Sequence, residues 1–255
     1  MTPLIEASGL TKRYRTGGVF GRQRILAALI KVSLTLQEGE SLGLVGESGS
    51  GKTTLGKIIA GLLDPDEGML TLAGRSSTTL KRLDRARFAQ MIFQDPATSL
   101  NPKLSVGTQI GEAVRLTGNR IEEVEVWMDR VGLNREMCTA YPHQLSGGQK
   151  QRANIARAIA ARPRVAIADE PVSSLDLSIQ AQILRLLSDL KRSLGISYLV
   201  ISHDLGVVAA LCERMIVLKD GIVQEEGETS NILKNPQHPY TQKLLSSIPR
   251  LRTGS

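Results

Sequence analysis

The distribution of apolar residues predicts a chain in which strands and helices alternate. Runs that are short and apolar, or apolar at every second position, predict strands at 4–14, 30–36, 41–45, 69–73, 89–93, 164–168, 198–201 and 215–218. Segments in which apolar residues recur every three or four positions predict helices at 54–62, 151–161 and 183–194. This alternation indicates an α/β fold with a mostly parallel sheet covered by helices.

The pattern changes between residues 95 and 150, where no run predicts a strand. Residues 106–116 and 121–131 have a helical period, and each segment is followed by glycine and asparagine residues that predict a break. The α/β pattern returns after residue 150. We therefore expect a helical insertion within an α/β core.

One segment between the third predicted strand and the first predicted helix fits the phosphate-binding pattern G-x-x-x-x-G-K-[ST]. Its glycines let backbone N–H groups turn towards phosphate oxygens, and the helix N-terminus adds the positive end of its dipole. Lys52 is expected to reach the β- and γ-phosphates, and the Thr53 hydroxyl to hold Mg²⁺. The alternative is a surface turn before an ordinary helix. The predicted nucleotide-binding residues of this loop are Gly46, Ser48, Gly49, Ser50, Gly51, Lys52, Thr53 and Thr54.

Two acidic residues, Asp169 and Glu170, follow a predicted apolar strand. A phosphate-binding loop of this kind needs a carboxylate to hold its metal ion, and Asp169 at the strand end can do this through water. Glu170 beside it can polarise an attacking water molecule. Either residue alone could be an ordinary solvated loop residue, so the prediction depends on their occurrence together with the loop.

A second candidate phosphate site lies in Leu145-Ser146-Gly147-Gly148-Gln149, which opens the predicted helix at 151–161. Ser146 and the two glycines would present a hydroxyl, free N–H groups and a helix dipole to a phosphate. This site cannot serve the same nucleotide as the first loop unless the fold brings the two together. An ordinary helix N-cap is the alternative.

Composition restricts the function only weakly. A net charge of +7 would suit nucleic acid, anionic lipid or nucleotide, and charge alone does not choose among them. Aromatic residues make up 3% of the chain, which disfavours a platform for stacked bases. Cys138 and Cys212 are far apart, so neither a disulfide framework nor a zinc site is indicated. No apolar run or signal segment predicts that the chain spans or crosses a membrane.

These motifs, in this order, resemble those of the ATP-binding-cassette (ABC) ATPases, and the resemblance covers nearly the whole chain. It implies a P-loop NTPase core with a mixed, mostly parallel sheet, an antiparallel β subdomain and an inserted helical subdomain. It also implies ATP and Mg²⁺ as cofactors and Mg-dependent hydrolysis of ATP. The implied division of the single nucleotide-binding domain, 1–255, is a RecA-like core with its β subdomain at 1–94 and 151–228, a helical subdomain at 95–150 and a C-terminal tail at 229–255.

The resemblance also assigns roles residue by residue. Tyr14 resembles the aromatic residue that stacks on adenine, although it could be a tyrosine that merely ends a strand. Gln94 resembles the glutamine that ends a strand and approaches Mg²⁺ and the water. His203 resembles the histidine that contacts the γ-phosphate, although a lone histidine is more often structural.

In the family, two cassettes pair head to tail. Each ATP then lies between the phosphate loop of one subunit and the signature motif of the other. The implied signature residues are Ser146, Gly147, Gly148 and Gln149, and Asp176 lies in the loop that crosses the dimer interface. The implied catalytic residues are Glu170, His203 and Gln94, and the implied metal ligands are Thr53, Gln94 and Asp169.

Two stretches, 94–102 and 235–245, resemble the branch of the family that imports dipeptides, oligopeptides and nickel. The branch implies a second, identical or related ATPase subunit, two transmembrane permeases and, indirectly, a substrate-binding protein. The chain would then be peripheral, on the cytoplasmic face of the inner membrane, and would not bind nucleic acid. Open alternatives are another type of ABC transporter and an ABC ATPase that acts on nucleic acid. A non-catalytic regulator conflicts with Glu170 and His203.

The segment from Gln94 to about Gln109 is expected to transmit motion to a permease. Its Asp-Pro and Asn-Pro turns predict a loop with fixed ends and an exposed middle, in which Ser99, Leu100 and Lys103 would contact the partner. The tail at 235–245 predicts a turn and a short amphipathic helix with Leu244, Leu245 and Ile248 facing inward. No C-terminal extension is visible, so regulation by one is not expected.

Overall fold

Two β-sheets organise the chain in this computed structural model, which describes residues 2–16, 24–117 and 124–246. The strands are β1 (Ile5–Thr16), β2 (Arg24–Leu36), β3 (Ser41–Val45), β4 (Glu67–Leu72), β5 (Arg75–Ser76), β6 (Ala89–Ile92), β7 (Val165–Asp169), β8 (Ser197–Ser202), β9 (Arg214–Lys219) and β10 (Ile222–Glu228). The helices are α1 (Lys52–Ile59), α2 (Arg82–Phe88), α3 (Pro96–Ser99), α4 (Val106–Leu116), α5 (Val124–Arg130), α6 (Gly147–Ala160), α7 (Leu177–Leu194), α8 (Leu205–Leu211), α9 (Thr229–Lys234) and α10 (Pro239–Ser246).

The larger sheet has the strand order β10-β9-β3-β8-β7-β6, and its strands are parallel except for β10. Every residue of β3, β7 and β8 is buried, as expected for central strands covered by helices on both faces. Because these three strands are neighbours and parallel, their carboxyl ends lie at one edge of the sheet. The segments that begin at Gly46, Glu170 and His203 therefore start side by side, which is where open α/β sheets bind ligands.

The smaller sheet is antiparallel, with the order β2-β1-β4-β5. Strand β2 begins at Arg24, six positions before the predicted start at residue 30. The sequence from 24 to 30 does not alternate between apolar and polar residues, so the pattern gave no signal there. Irregularities between β1 and β2 shift the pairing register, and Lys31 has a φ of 50°. Both irregularities disturb the period of two that predicts a strand.

The region between 95 and 150 contains helices and no strand among its described residues. Helix α4 has the predicted bounds, and α5 lies within the predicted helix at 121–131, of which 121–123 fall outside the described residues. Trp127, Met128 and Val114 are buried among these helices and α6. Helix α6 begins at Gly147, so the glycines predicted to open it are its first residues.

Several elements were not predicted from the sequence. Strand β10 lies at an edge of the larger sheet and carries polar residues, and helices α2, α8 and α9 are only six or seven residues long. Short helices and polar edge strands have too few apolar positions to show a period. Cys138 and Cys212 are both free thiols.

Candidate active site

A cavity of about 720 Å³ lies at the edge of the larger sheet where β3, β7 and β8 end. The predicted site residues that line it are Tyr14, Gly46, Ser48, Gly49, Gly51, Lys52, Thr53, Thr54, Gln94, Asp169, Glu170 and His203. Leu26, Ala28, Glu47 and Leu244 line it as well. Residues from seven separate parts of the chain therefore meet around one space.

Close packing on the outside of the predicted phosphate loop fixes its path. Gly46 has a φ of 154°, and a Cβ atom there would lie 2.1 Å from the carbonyl oxygen of Leu218. Gly51 has a φ of 104°, and a Cβ there would lie 2.2 Å from the carbonyl oxygen of Ala28. Only glycine fits both the backbone conformation and the space at these two positions. The loop is thus pressed against β9 on one side and β2 on the other.

Lys52 is buried at the centre of this loop. Its ammonium group donates hydrogen bonds to the carbonyl oxygens of Gly46 and Glu47, both at 2.8 Å. Burial lowers the pKa of Lys52, and the carboxylates of Glu170 and Asp169 act in the opposite direction. The loop curls around the ammonium group, which places a positive charge where phosphate oxygens would bind.

Thr53 and Asp169 form a pair of oxygen donors on the cavity wall. The Thr53 hydroxyl donates a hydrogen bond of 3.2 Å to Asp169 Oδ1, although the two residues are 116 positions apart. Burial raises the pKa of Asp169, and the hydrogen bond from Thr53 opposes this shift. A hydroxyl and a carboxylate oxygen that already lie together match the hard oxygen ligands of Mg²⁺. The residues present therefore fit a magnesium ion.

Glu170 and His203 contact each other at the cavity wall. His203 Nδ1 lies 2.7 Å from Glu170 Oε1, and the His203 backbone N–H donates to the same oxygen at 3.0 Å. Glu170 has a φ of 49°, a conformation that non-glycine residues rarely adopt and that is concentrated at functional sites. Its N–H bonds to the Ile201 carbonyl, which ties this turn to β8. Gln94 lines the same cavity and lies two residues beyond the end of β6, rather than at it.

Tyr14 lies on the wall of the same cavity, at the end of the β1–β2 ladder. It pairs with Leu26 across the β1–β2 ladder, and Leu26 is 59% exposed. The Tyr14 hydroxyl is 3.4 Å from Thr54 Oγ1, which places the ring beside the start of α1. A half-buried aromatic ring and an exposed leucine on neighbouring strands form an apolar surface that suits a planar base.

Ser146, Gly147, Gly148, Gln149 and Asp176 do not line the cavity. Ser146 caps α6, because its hydroxyl accepts from the Gln149 N–H at 3.3 Å and the Gln149 side chain accepts from the Ser146 N–H at 2.9 Å. The Asp176 carboxylate caps α7 by accepting from the Ile179 N–H at 3.0 Å. Within one chain, the structure separates both segments from the phosphate loop. Ser50, also predicted to bind nucleotide, is buried and accepts a hydrogen bond of 3.4 Å from Lys52.

A family model described as "ABC transporter" matches residues 29–173, and a second, "Oligopeptide/dipeptide transporter, C-terminal region", matches residues 224–255. The chain belongs to the ABC transporter family. A Brucella abortus protein named "Putative peptide import ATP-binding protein" is 45% identical over 246 residues, which are 92% of this chain and 73% of the relative. A Brucella ovis protein of the same name is 43% identical over 97% of this chain and 79% of the relative.

Solved ABC structures have the same fold. The ATP-binding cassette MJ0796, in a dimeric post-hydrolysis state bound to ADP and phosphate, matches with a TM-score of 0.78 and 30% identity over 88% of this chain and 98% of the other. The cbiO1 protein of Clostridium perfringens also matches with a TM-score of 0.78, at 24% identity over 98% and 97% of the two chains, and this likeness concerns the fold alone. The predicted P-loop NTPase fold of ABC type is confirmed, and the chain is an ABC ATPase.

Four residues of the cavity wall were not predicted from the sequence: Leu26, Ala28, Glu47 and Leu244. Leu26 and Ala28 lie in the part of β2 where apolar and polar residues do not alternate. Leu244 lies in α10, about 200 residues after the phosphate loop along the chain. The cross-strand pairing of Tyr14 would have identified Leu26, but only once the register was known. In the part of the chain that the structure describes, no helix is long and apolar enough to cross a membrane.

Proposed function

We propose that this chain is the ATP-hydrolysing subunit of an ABC importer that energises uptake of peptides, or of nickel or other metal chelates, through a membrane permease. The observation that supports the ATPase chemistry is the convergence of Lys52, Thr53, Asp169, Glu170 and His203 around one cavity. Phosphoryl transfer needs a positive charge, oxygen ligands for a metal ion and a group that orients water, and these residues supply each of them.

Nucleotide binding is assigned to two groups of residues that line the cavity. Tyr14 and Leu26 would hold the adenine, and the N–H groups of the glycine loop together with Lys52 would hold the phosphates. Thr53, Asp169 and Gln94 would hold Mg²⁺. When bound, the ion would neutralise charge on the phosphate oxygens.

Glu170 is the residue that would polarise the attacking water. It is held by two contacts to His203, through the ring and through the backbone N–H, so its carboxylate has a fixed position at the cavity wall. His203 itself is 64% exposed at its side chain, which leaves its second ring nitrogen able to reach a γ-phosphate. Gln94 would place its amide near the same water.

The signature segment would act on a second subunit. Ser146–Gln149 and Asp176 lie outside the cavity of their own chain, and both sit at helix N-termini, where anions bind favourably. MJ0796 is dimeric with ADP and phosphate bound. A head-to-tail dimer, either of two identical chains or with a related ATPase, would place this segment over the partner's nucleotide.

The C-terminal region supports the assignment to the peptide importers. The family model for that region is described by oligopeptide and dipeptide transport, and the Brucella relatives are named for peptide import. The expected partners are two transmembrane permeases and, indirectly, a substrate-binding protein, with this subunit at the cytoplasmic face of the membrane. An ABC ATPase of another transporter type is the alternative.

The segment from Gln94 to Gln109 remains the proposed link to the permease, but part of the sequence prediction was wrong. Leu100 is 2% exposed and belongs to the core, and Ser99 is half-buried with its hydroxyl bonded to Asn154 at 3.1 Å. Leu100 therefore cannot dock a partner, and the Ser99 hydroxyl is already engaged within the chain. The exposed residues of the segment include Thr98 and Lys103.

Reconstitution with the co-purified permeases and binding protein in lipid vesicles tests this function. We expect ATP-dependent uptake of peptides or of a nickel chelate. Lys103→Glu should reduce uptake while the isolated subunit keeps its basal ATPase rate, and exchange of the exposed Lys81 for Glu is the matched control. ATP hydrolysis without uptake of either class of solute would contradict the importer assignment. Normal uptake by Lys103→Glu would place the docking surface elsewhere.

A further inference from the structure

The C-terminal helix α10 is fastened to β10 at its beginning. The Glu225 carboxylate on β10 accepts hydrogen bonds from the Gln237 N–H at 2.8 Å and from the His238 N–H at 3.1 Å. His238 Nδ1 in turn accepts from the Tyr240 N–H at 3.2 Å. The pKa of Glu225 is lowered: burial acts to raise it, and the hydrogen bonds from the Gln237 and His238 N–H groups act in the opposite direction. These contacts give the His-Pro-Tyr segment one orientation on the protein.

In that orientation Tyr240 contacts the phosphate loop. Its side chain is buried, with 7% exposed, and its hydroxyl oxygen accepts a hydrogen bond of 3.3 Å from the Glu47 backbone N–H. The Lys219 ammonium group lies 4.8 Å from the centre of the Tyr240 ring, which adds a cation–π contact from β9. One turn further along α10, Leu244 lines the nucleotide cavity itself.

Besides the contact with Tyr240, another backbone hydrogen bond holds the loop against a neighbouring element. This bond is donated by the Gly221 N–H, in the turn between β9 and β10, to the Ser50 carbonyl at 3.0 Å. The Glu47 N–H therefore points towards α10. The inner side of the loop is left for the Lys52 ammonium group, which bonds the Gly46 and Glu47 carbonyls.

We propose that Tyr240 is a positioning residue for nucleotide binding, which acts by fixing the Glu47 end of the phosphate loop through its hydroxyl oxygen. The His-Pro-Tyr segment then acts as a clamp, that is, it holds the loop in one position. Glu225 and His238 orient this segment through their hydrogen bonds, and Leu244 lines the cavity. This proposal rests on the nucleotide site assigned above. Residues 237–244 would therefore support nucleotide binding in their own subunit.

The expected effect follows from the size of one hydrogen bond. Without the hydroxyl oxygen, the Glu47 N–H has no partner on this side, and the loop spends less time in the conformation that binds phosphate. Apparent affinity falls in proportion to that population. For one neutral hydrogen bond the loss is roughly 2- to 10-fold. The reaction groups themselves stay in place, so KM for ATP rises while kcat changes little.

Tyr240→Phe is the deciding variant, because it keeps the ring, its burial and the contact with Lys219. Tyr198→Phe is the matched control. Tyr198 is buried at the opposite end of β8 from His203, and its hydroxyl has no hydrogen-bond partner among the described residues.

Nucleotide affinity would be measured by titration calorimetry with Mg-ADP, KM and kcat by steady-state hydrolysis, and exchange of the Glu47 amide by hydrogen–deuterium exchange. Lys52→Ala checks the nucleotide site itself.

We expect Tyr240→Phe to weaken Mg-ADP binding 2- to 10-fold, to raise KM with a nearly constant kcat, and to speed exchange of the Glu47 amide. Tyr198→Phe should change none of the three. Wild-type affinity and unchanged Glu47 exchange in Tyr240→Phe would overturn the proposal, as would equal effects of both variants. If Lys52→Ala binds as tightly as the wild type, the nucleotide site is wrong, and that failure is distinct from the failure of the clamp.

Discussion

Replacing Gly51 with alanine should disable the phosphate loop without unfolding the protein. Gly51 has a φ of 104°, so an alanine there would adopt a backbone conformation that costs about 1–3 kcal/mol. Its Cβ would also lie 2.2 Å from the Ala28 carbonyl oxygen, a backbone atom that cannot turn aside. Overpacking of this kind typically costs a further 1–3 kcal/mol. The loop can escape this total of about 2–6 kcal/mol by leaving its phosphate-binding conformation.

The two costs can be separated with other glycines of the same chain. Gly49 has a φ of 82° and Gly39 a φ of 75°, and a Cβ at either position would meet nothing within 4 Å. Gly49→Ala therefore carries the backbone cost alone, inside the loop. Gly39→Ala carries a similar cost in the turn before β3, away from the cavity. Since about 1.4 kcal/mol is a factor of ten, Gly51→Ala should bind nucleotide roughly 5- to 150-fold more weakly than Gly49→Ala.

Titration calorimetry with Mg-ADP measures the affinities, and thermal unfolding without nucleotide measures the stability. We expect the wild type to bind Mg-ADP most tightly, Gly49→Ala more weakly and Gly51→Ala most weakly. Gly39→Ala should keep wild-type affinity and lose about 1–2 kcal/mol of stability. Equal affinities for Gly51→Ala and Gly49→Ala would refute the idea that contact with the Ala28 carbonyl fixes the loop.

Two further predictions concern stability. Gln109→Leu should lower the free energy of unfolding, measured in urea, by about 2–4 kcal/mol. The buried Gln109 amide accepts a hydrogen bond from the Asn101 N–H at 2.8 Å and donates to the Asn101 and Leu104 carbonyls at 3.1 and 3.0 Å, and leucine would leave these groups unpaired. A loss below about 0.5 kcal/mol would contradict this prediction. The hydrogen bonds from the Lys12 ammonium group and the Arg13 N–H lower the pKa of Asp66 from its usual 3.8, so its stabilising effect is present above that pH and is lost as pH falls through the lowered value. Asp66→Asn should thus be less stable than the wild type near neutral pH, and this difference should shrink in acid; a difference that stays constant with pH would exclude the carboxylate as its cause.

Local patterns predicted the parts of the fold that depend on regular burial. Strands β3, β7 and β8 are buried on both faces, so they are apolar runs that can be recognised without any tertiary information. Helix α4 has one buried face and was predicted with its observed bounds. By contrast, the first half of β2 takes its conformation from pairing with β1 across a ladder with shifted register, and that pairing is not encoded in a period.

The candidate site shows the same division. The phosphate loop, Asp169–Glu170 and His203 could be predicted because each follows a recognisable strand, and parallel strands bring their carboxyl ends together. Leu244 and Tyr240 could not, because their place at the cavity depends on how Glu225 orients a helix from the C-terminal segment. The exposure of Leu100 was wrongly predicted for a similar reason. A proline-flanked turn indicates a loop, but the burial of a leucine within it is decided by the helices it packs against.

The most direct test of the ATPase assignment is Glu170→Gln. The amide preserves the size of the side chain but loses the charge that would polarise water, so ATP hydrolysis should fall by about 10²–10⁴-fold while Mg-ATP still binds. The variant should then accumulate as an ATP-bound dimer in size-exclusion chromatography. Hydrolysis at the wild-type rate by Glu170→Gln would contradict the proposed chemistry, because Glu170 would then have no part in the reaction.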